Sequence, residues 1–219
     1  MVRITGEKRK NPREHRPPEN ILFDYAPEKS GDALKNFVSQ RLYNLGIEKI
    51  DSDFVTKEKE VATYYDKKLN LYIESHAVDE ILEHCAVMAN KGLEALGFLA
   101  GDLYRWNGED FSVIHDIVTG KLNSTPVSVK FKKDAFENLF DQLDEIGYDY
   151  ILIGWYHSHP GYTSFMSPVD MDTQSRMFNK PFHVALVADP INMELKAFRI
   201  VDERCIEIPY AVFEDNDSI

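Results

Sequence analysis

One stretch constrains this chain more than any other: the run YILIGWYHSHP over residues 150–160, followed six residues later by Ser167-Pro168-Val169-Asp170. The β-branched and aromatic residues before His157 spell a buried strand, and Pro160 ends it because proline cannot donate to a ladder. Side chains two apart on a strand share a face, so His157 and His159 converge at its end. Ser167 then reads as a helix N-cap, with Pro168 at N1 and an acidic residue at N3, leading into MDTQSRMFN. That turn holds Asp170 near the strand end. Two imidazoles and one carboxylate leave the fourth position of a tetrahedral zinc open, the pattern of a catalytic rather than a structural site. Iron and manganese accept the same donors. Taken singly, each residue has a plainer reading: a strand histidine is more often a hydrogen-bonded interior group, and Ser167 with Asp170 is more often a plain cap. Four polar residues at fixed spacing behind an apolar strand favour the joint reading.

The rest of the chain predicts a soluble α/β (α+β) domain. Its 219 residues, 43% hydrophobic and 28% charged, bury a sizeable core without staples, and exclude a fibrous or disordered chain. Two cysteines, Cys85 and Cys205, lie far apart without a C-x-x-C partner, which suits a reducing compartment and buried thiols. No apolar run is long enough for a membrane span, and the N-terminus lacks a secretory h-region, so a cytoplasmic protein is expected. The net charge is −12 although residues 1–20 are basic, which leaves the remainder more acidic still and disfavours nucleic-acid binding.

Residues 1–66 are expected as an N-terminal extension. It comprises a poorly ordered arm over 1–20, an amphipathic helix over 31–47 bearing Leu34, Phe37, Val38, Leu42 and Leu45, and a charged linker. The main domain is expected over 67–205. Leu69, Leu71 and Ile73 alternate as a strand, and Val78, Ile81, Leu82, Cys85 and Met88 follow at helical spacing. LGFLAGDLYRW and FSVIHDIVT flank Asn107-Gly108, a hairpin signal. VSVKF over 127–131, a helix over 133–147, the His157 strand, HVALVADP and ELKAFRIVD complete the pattern, and residues 206–219 are expected as an acidic tail. His76, Glu80 and His84 share a helix face but read as a solvated stripe, His115 and His183 as structural, and Trp155 and Tyr156 as core aromatics.

The string GWYHSHPGYTSFMSPVDMDTQ resembles the JAMM (MPN+) zinc metalloprotease motif, in the form carried by proteasome-lid deubiquitinases and signalosome deneddylases. The likeness runs from about Leu69 to Asp202. It implies an MPN/JAMM domain, a curved mixed β-sheet flanked by helices. It further implies one catalytic Zn²⁺ held by His157, His159 and Asp170, Glu94 in GLEALGFLAG as the general base, and Ser167 as a hydrogen-bonding group to the zinc water or the developing oxyanion. In isolation Glu94 reads as an exposed glutamate between a helix and a strand. The chemistry is coherent, because zinc lowers the pKa of water to about 7 and a nearby carboxylate relays the proton to the leaving amine. By the same resemblance the substrates are conjugates of ubiquitin or a ubiquitin-like modifier, and a proteasome or a second MPN-domain subunit is an implied partner. Val127 and Val129 are then expected to contact the modifier's extended tail as a sheet edge, and Phe165, where such enzymes carry tryptophan, to line its path. Two other readings stay open: a non-catalytic MPN scaffold, and a JAMM hydrolase of sulfur-carrier or small amide conjugates.

Overall fold

Asn107 and Gly108 turn the chain as their residue types allow, both with positive φ (52° and 81°). They join β4 (Leu96–Trp106) to β5 (Glu109–Val118) in the longest antiparallel pair among the described residues. The computed structural model describes residues 12–28, 31–47, 69–119 and 150–214. The expected strand over 127–131 and helix over 133–147, with Val127 and Val129, lie outside these described residues.

Around this hairpin the other strands are β1 (Arg13–Glu14), β2 (Ile21–Tyr25), β3 (Leu71–Glu74), β6 (Ile151–Ser158), β7 (Val184–Asp189), β8 (Glu194–Val201), β9 (Arg204–Ile208) and β10 (Tyr210–Phe213). They form one mixed sheet in the order β2-β10-β3-β5-β4-β6-β7-β8-β9, with β1 pairing β4. The Tyr25 hydroxyl on β2 donates to Glu207 on β9, so the two outermost strands meet and the sheet curls. The architecture is the curved mixed sheet flanked by helices that the sequence resemblance implied.

Helices α1 (Gly31–Asn44) and α2 (Ser75–Ala89) cover one face, burying Leu34, Val38 and Leu42 from the first and Val78, Ile81, Leu82 and Cys85 from the second. Arg41 clamps the two together through Asp79 at 2.5 and 2.6 Å. Cys85 is the buried filler expected, its thiol pushed up to about 12 by burial, whereas Cys205 is only partly buried. The third helix, α3 (Pro168–Met177), packs over the other face, where Phe98, Trp155, Val187 and Phe198 form a smaller core.

Two expectations need correction. Residues 206–213 are not tail: Tyr210, Ala211, Val212 and Phe213 are buried and pair with β2 on one side and β3 on the other. Four apolar residues in an acidic context are too short a run to announce an inner strand. Within the arm, Arg13 and Glu14 pair in parallel with Tyr104 and Arg105, and Arg13 reaches Asp102 at 2.7 Å. No described helix is long and apolar enough to cross a membrane.

His183, read from sequence as structural, is buried and accepts the Lys180 N–H on Nδ1 at 3.1 Å. Burial, aided by Lys180 and Arg199, moves its imidazole from 6.5 down to about 4. It therefore stays neutral in the folded protein while the unfolded chain takes up a proton below 6.5. Stability is expected to be full above pH 6.5 and to fall as the pH drops towards 4, by up to about 3 kcal/mol from this group. Urea titrations should show a shallower pH dependence over that window in His183→Gln, and an unchanged slope would refute the assignment.

Candidate metal centre

Alternation along β6 sorts its side chains. Tyr156 and Ser158 point to the α2 face, where Ser158 Oγ accepts the Ala95 N–H at 2.8 Å. Trp155 and His157 point to the α3 face, and His159 continues that side beyond the strand end. Both imidazoles are buried.

The α3 N-terminus brings the carboxylate. Ser167 Oγ accepts the Asp170 N–H at 3.2 Å, and Asp170 Oδ2 accepts the Ser167 N–H at 2.8 Å, a reciprocal capping box. The same oxygen lies 3.3 Å from His157 Nε2 and 3.5 Å from His159 Nε2. Capping and site formation thus share one carboxylate rather than competing for it. Burial alone would raise the Asp170 carboxyl, but the two imidazoles, with the Ser167 cap, hold it far below the usual carboxylate range. Burial lowers His157, against the pull of Asp170.

The donor set fits a divalent metal ion. One ligand atom each from His157, His159 and Asp170 falls within 4.8 Å of the others, and this is the only such group among the described residues. Both ring nitrogens of His157 and Nδ1 of His159 are buried without a hydrogen-bond partner among the described residues. Of these, His157 Nε2 faces Asp170 Oδ2, and a cation coordinated there relieves its desolvation cost. Two imidazoles and one carboxylate match zinc in an open site.

Glu94 lies between α2 and β4, one residue before the alanine bound to Ser158. Burial raises its carboxyl; His159 opposes that and Asp170 adds to it, so it sits in the field of the same centre. Phe165 is 44% exposed with its ring 4.7 Å from that of His159. His76 binds Glu74 and His84 binds the Tyr156 hydroxyl, so the stripe with Glu80 does not converge. His115 is paired with Glu74, whose carboxyl it and His76 lower to about 2 against the effect of burial.

One supporting residue was not read from the sequence. Gln174 lies one helical turn beyond Asp170, buried, and its Oε1 accepts the Trp155 indole N–H at 2.6 Å while its Nε2 donates to Phe178 O at 3.0 Å. Trp155 in turn stacks on His157 with centroids 4.5 Å apart and planes 14° from parallel. The i, i+4 spacing from Asp170 was the available signal. Gln174→Met keeps the volume but strands both partners, so a loss of about 1–3 kcal/mol is expected in chemical denaturation. An unchanged midpoint would refute the bonded role.

Comparison with known proteins places this geometry in a family. A family model described as JAB1/Mov34/MPN/PAD-1 ubiquitin protease matches residues 66–180. The 26S proteasome regulatory subunit RPN11 of Eremothecium gossypii is 34% identical over 145 residues, 62% of this chain and 44% of that protein. The ubiquitin carboxyl-terminal hydrolase RPN11 of Saccharomyces cerevisiae is 33% identical over 145 residues, 63% of this chain and 45% of that one. COP9 signalosome complex subunit 5 of Debaryomyces hansenii is 28% identical over 164 residues, 72% and 31% of the two chains. The chain spans less than half the length of these relatives. A solution structure from Desulfitobacterium hafniense shares the fold at a TM-score of 0.51 and 19% identity, covering 67% of this chain and 95% of that one.

Proposed function

The chain belongs to the JAB1/Mov34/MPN/PAD-1 ubiquitin protease family, and from that premise we propose that it is a zinc-dependent isopeptidase releasing ubiquitin or a ubiquitin-like modifier from a target lysine. The observation that carries this reading is the convergence of His157, His159 and Asp170 with Glu94 in the same electrostatic field. His157, His159 and Asp170 would hold the ion. Zn²⁺ bound there supplies Lewis acidity, polarising a carbonyl and making water acidic near neutral pH.

This chain's own groups supply the rest. Glu94, its carboxyl raised by burial, accepts the proton of the attacking water and returns it to the leaving lysine amine as the C–N bond breaks and the new C–O bond forms. The products are a free carboxylate and an amine. Ser167 Oγ already accepts the Asp170 N–H, so its own hydroxyl hydrogen is left to donate to charge developing on the carbonyl oxygen. Exposed Phe165 beside His159 lines the approach, and Val127 and Val129 are proposed contacts for the modifier's tail. The names of the relatives support association with a multi-subunit complex of the proteasome or signalosome kind.

Purified protein incubated with isopeptide-linked ubiquitin and ubiquitin-like conjugates tests the reading. Release of intact modifier, abolished by a chelator and restored by zinc, is expected. Zinc-loaded protein that leaves every protein conjugate intact but cleaves small amides would move the substrate to sulfur-carrier or small amide conjugates. Inertness towards both would leave the scaffold reading.

A further inference from the structure

A carboxylate that the proposed reaction does not use sits at the end of β7. Asp189 is wholly buried. Its Oδ1 accepts the N–H groups of Gly161 (2.9 Å), Ile191 (2.9 Å) and Asn192 (3.0 Å), and its Oδ2 accepts the Thr163 N–H (2.7 Å) and the Asn192 side-chain amide (2.6 Å). Directly across on β8, Glu194 accepts the Ser164 N–H at 2.7 Å. Both carboxylates therefore hold the segment 161–164, which begins two residues after His159 and ends three before Ser167.

That segment takes a course it would not adopt unaided. Gly161 has φ +81° and Thr163 has φ +69°, the latter a left-handed conformation that costs a β-branched residue energy and persists only when its surroundings impose it. His159 is tied to the same region on both sides of its Cα: its N–H donates to Ala188 O at 2.9 Å, and its carbonyl accepts the Tyr162 N–H at 3.1 Å. The Phe165 ring then closes on its imidazole.

From these contacts we propose that Asp189 is a positioning residue for the metal centre. By holding the strained 161–164 segment it fixes where His159 stands relative to the helix that carries Asp170. The proposal rests on the reading of His157, His159 and Asp170 as metal ligands. A purely structural turn would make a different prediction, namely lost stability with unaltered metal affinity.

Asp189→Asn separates the two, because it is nearly isosteric. The remaining oxygen keeps its three donors, while an NH₂ group is turned towards the Thr163 N–H and the Asn192 amide. In the full chain, zinc affinity measured by competition with a chromophoric chelator is expected to fall about 10–100-fold in the folded variant. Asn192→Ala, which spares the backbone bonds, is expected to bind zinc within about threefold of the wild type. The amides of Gly161 and Thr163 in the wild type should also resist hydrogen exchange despite lying outside helix and strand, a readout that needs neither metal nor variant. Folded Asp189→Asn with wild-type zinc affinity, or unprotected Gly161 and Thr163 amides, would overturn the proposal while leaving the ligands in place. A wild type that binds no zinc would instead overturn the ligand assignment and this proposal with it.

Discussion

Glu94→Gln is expected to reduce isopeptide hydrolysis by about 10²–10⁴-fold while the protein keeps its fold and its metal. Glutamine matches glutamate in shape and hydrogen-bonding reach but cannot accept the proton that must leave the attacking water. Glu94 is suited to that task by position. It is partly buried beside the centre, where burial raises its carboxyl and Asp170 pushes it the same way, against His159. A carboxyl raised in this way is a stronger base than one in open water. Single-turnover cleavage of a conjugate, with metal content determined on the same preparation, measures the effect. A loss of less than about tenfold would remove Glu94 from the base role, and parallel loss of metal would make it a ligand or a structural support instead.

Gly154→Ala is expected to be among the most damaging single methyls in the described structure. A Cβ at this position would stand 1.9 Å from the carbonyl oxygen of Val184, the backbone of the neighbouring parallel strand. No rotamer relieves a clash with backbone, so β6 and β7 must separate. A cost of about 3 kcal/mol or more follows, at the upper end of overpacking penalties. The displaced strand also carries Trp155 and His157, so metal affinity should fall with stability. Urea denaturation of the metal-free protein checks the first effect. A midpoint equal to that of the wild type would contradict the parallel register of these strands.

The site was legible in the sequence because its grammar is local. His157 and His159 obey the two-residue period of a strand, and Ser167 with Asp170 obeys the capping rules, so spacing alone brought them together. Glu94 was reached only through family resemblance, since nothing in GLEALG sets it apart from an ordinary loop glutamate. The residues that hold the site were harder to see. Gln174 matters because it reaches Trp155 on another element, and Asp189 because five donors from two loops converge on it. The strand at Tyr210–Phe213 was missed for a similar reason. Its identity comes from pairing with β2 and β3, both distant in sequence, rather than from its own composition. With β2 paired to it, part of the N-terminal extension belongs to the sheet, and removing residues 1–66 would uncover a buried strand.

The most direct test of the account is the zinc content of the wild type and of Asp170→Asn, purified side by side without chelator and read by mass spectrometry. The variant keeps the cap's shape but loses the anionic oxygen between the two imidazoles. The account predicts about one zinc per wild-type chain and little or none in folded Asp170→Asn. Equal zinc in both proteins, or none in the wild type, would contradict it.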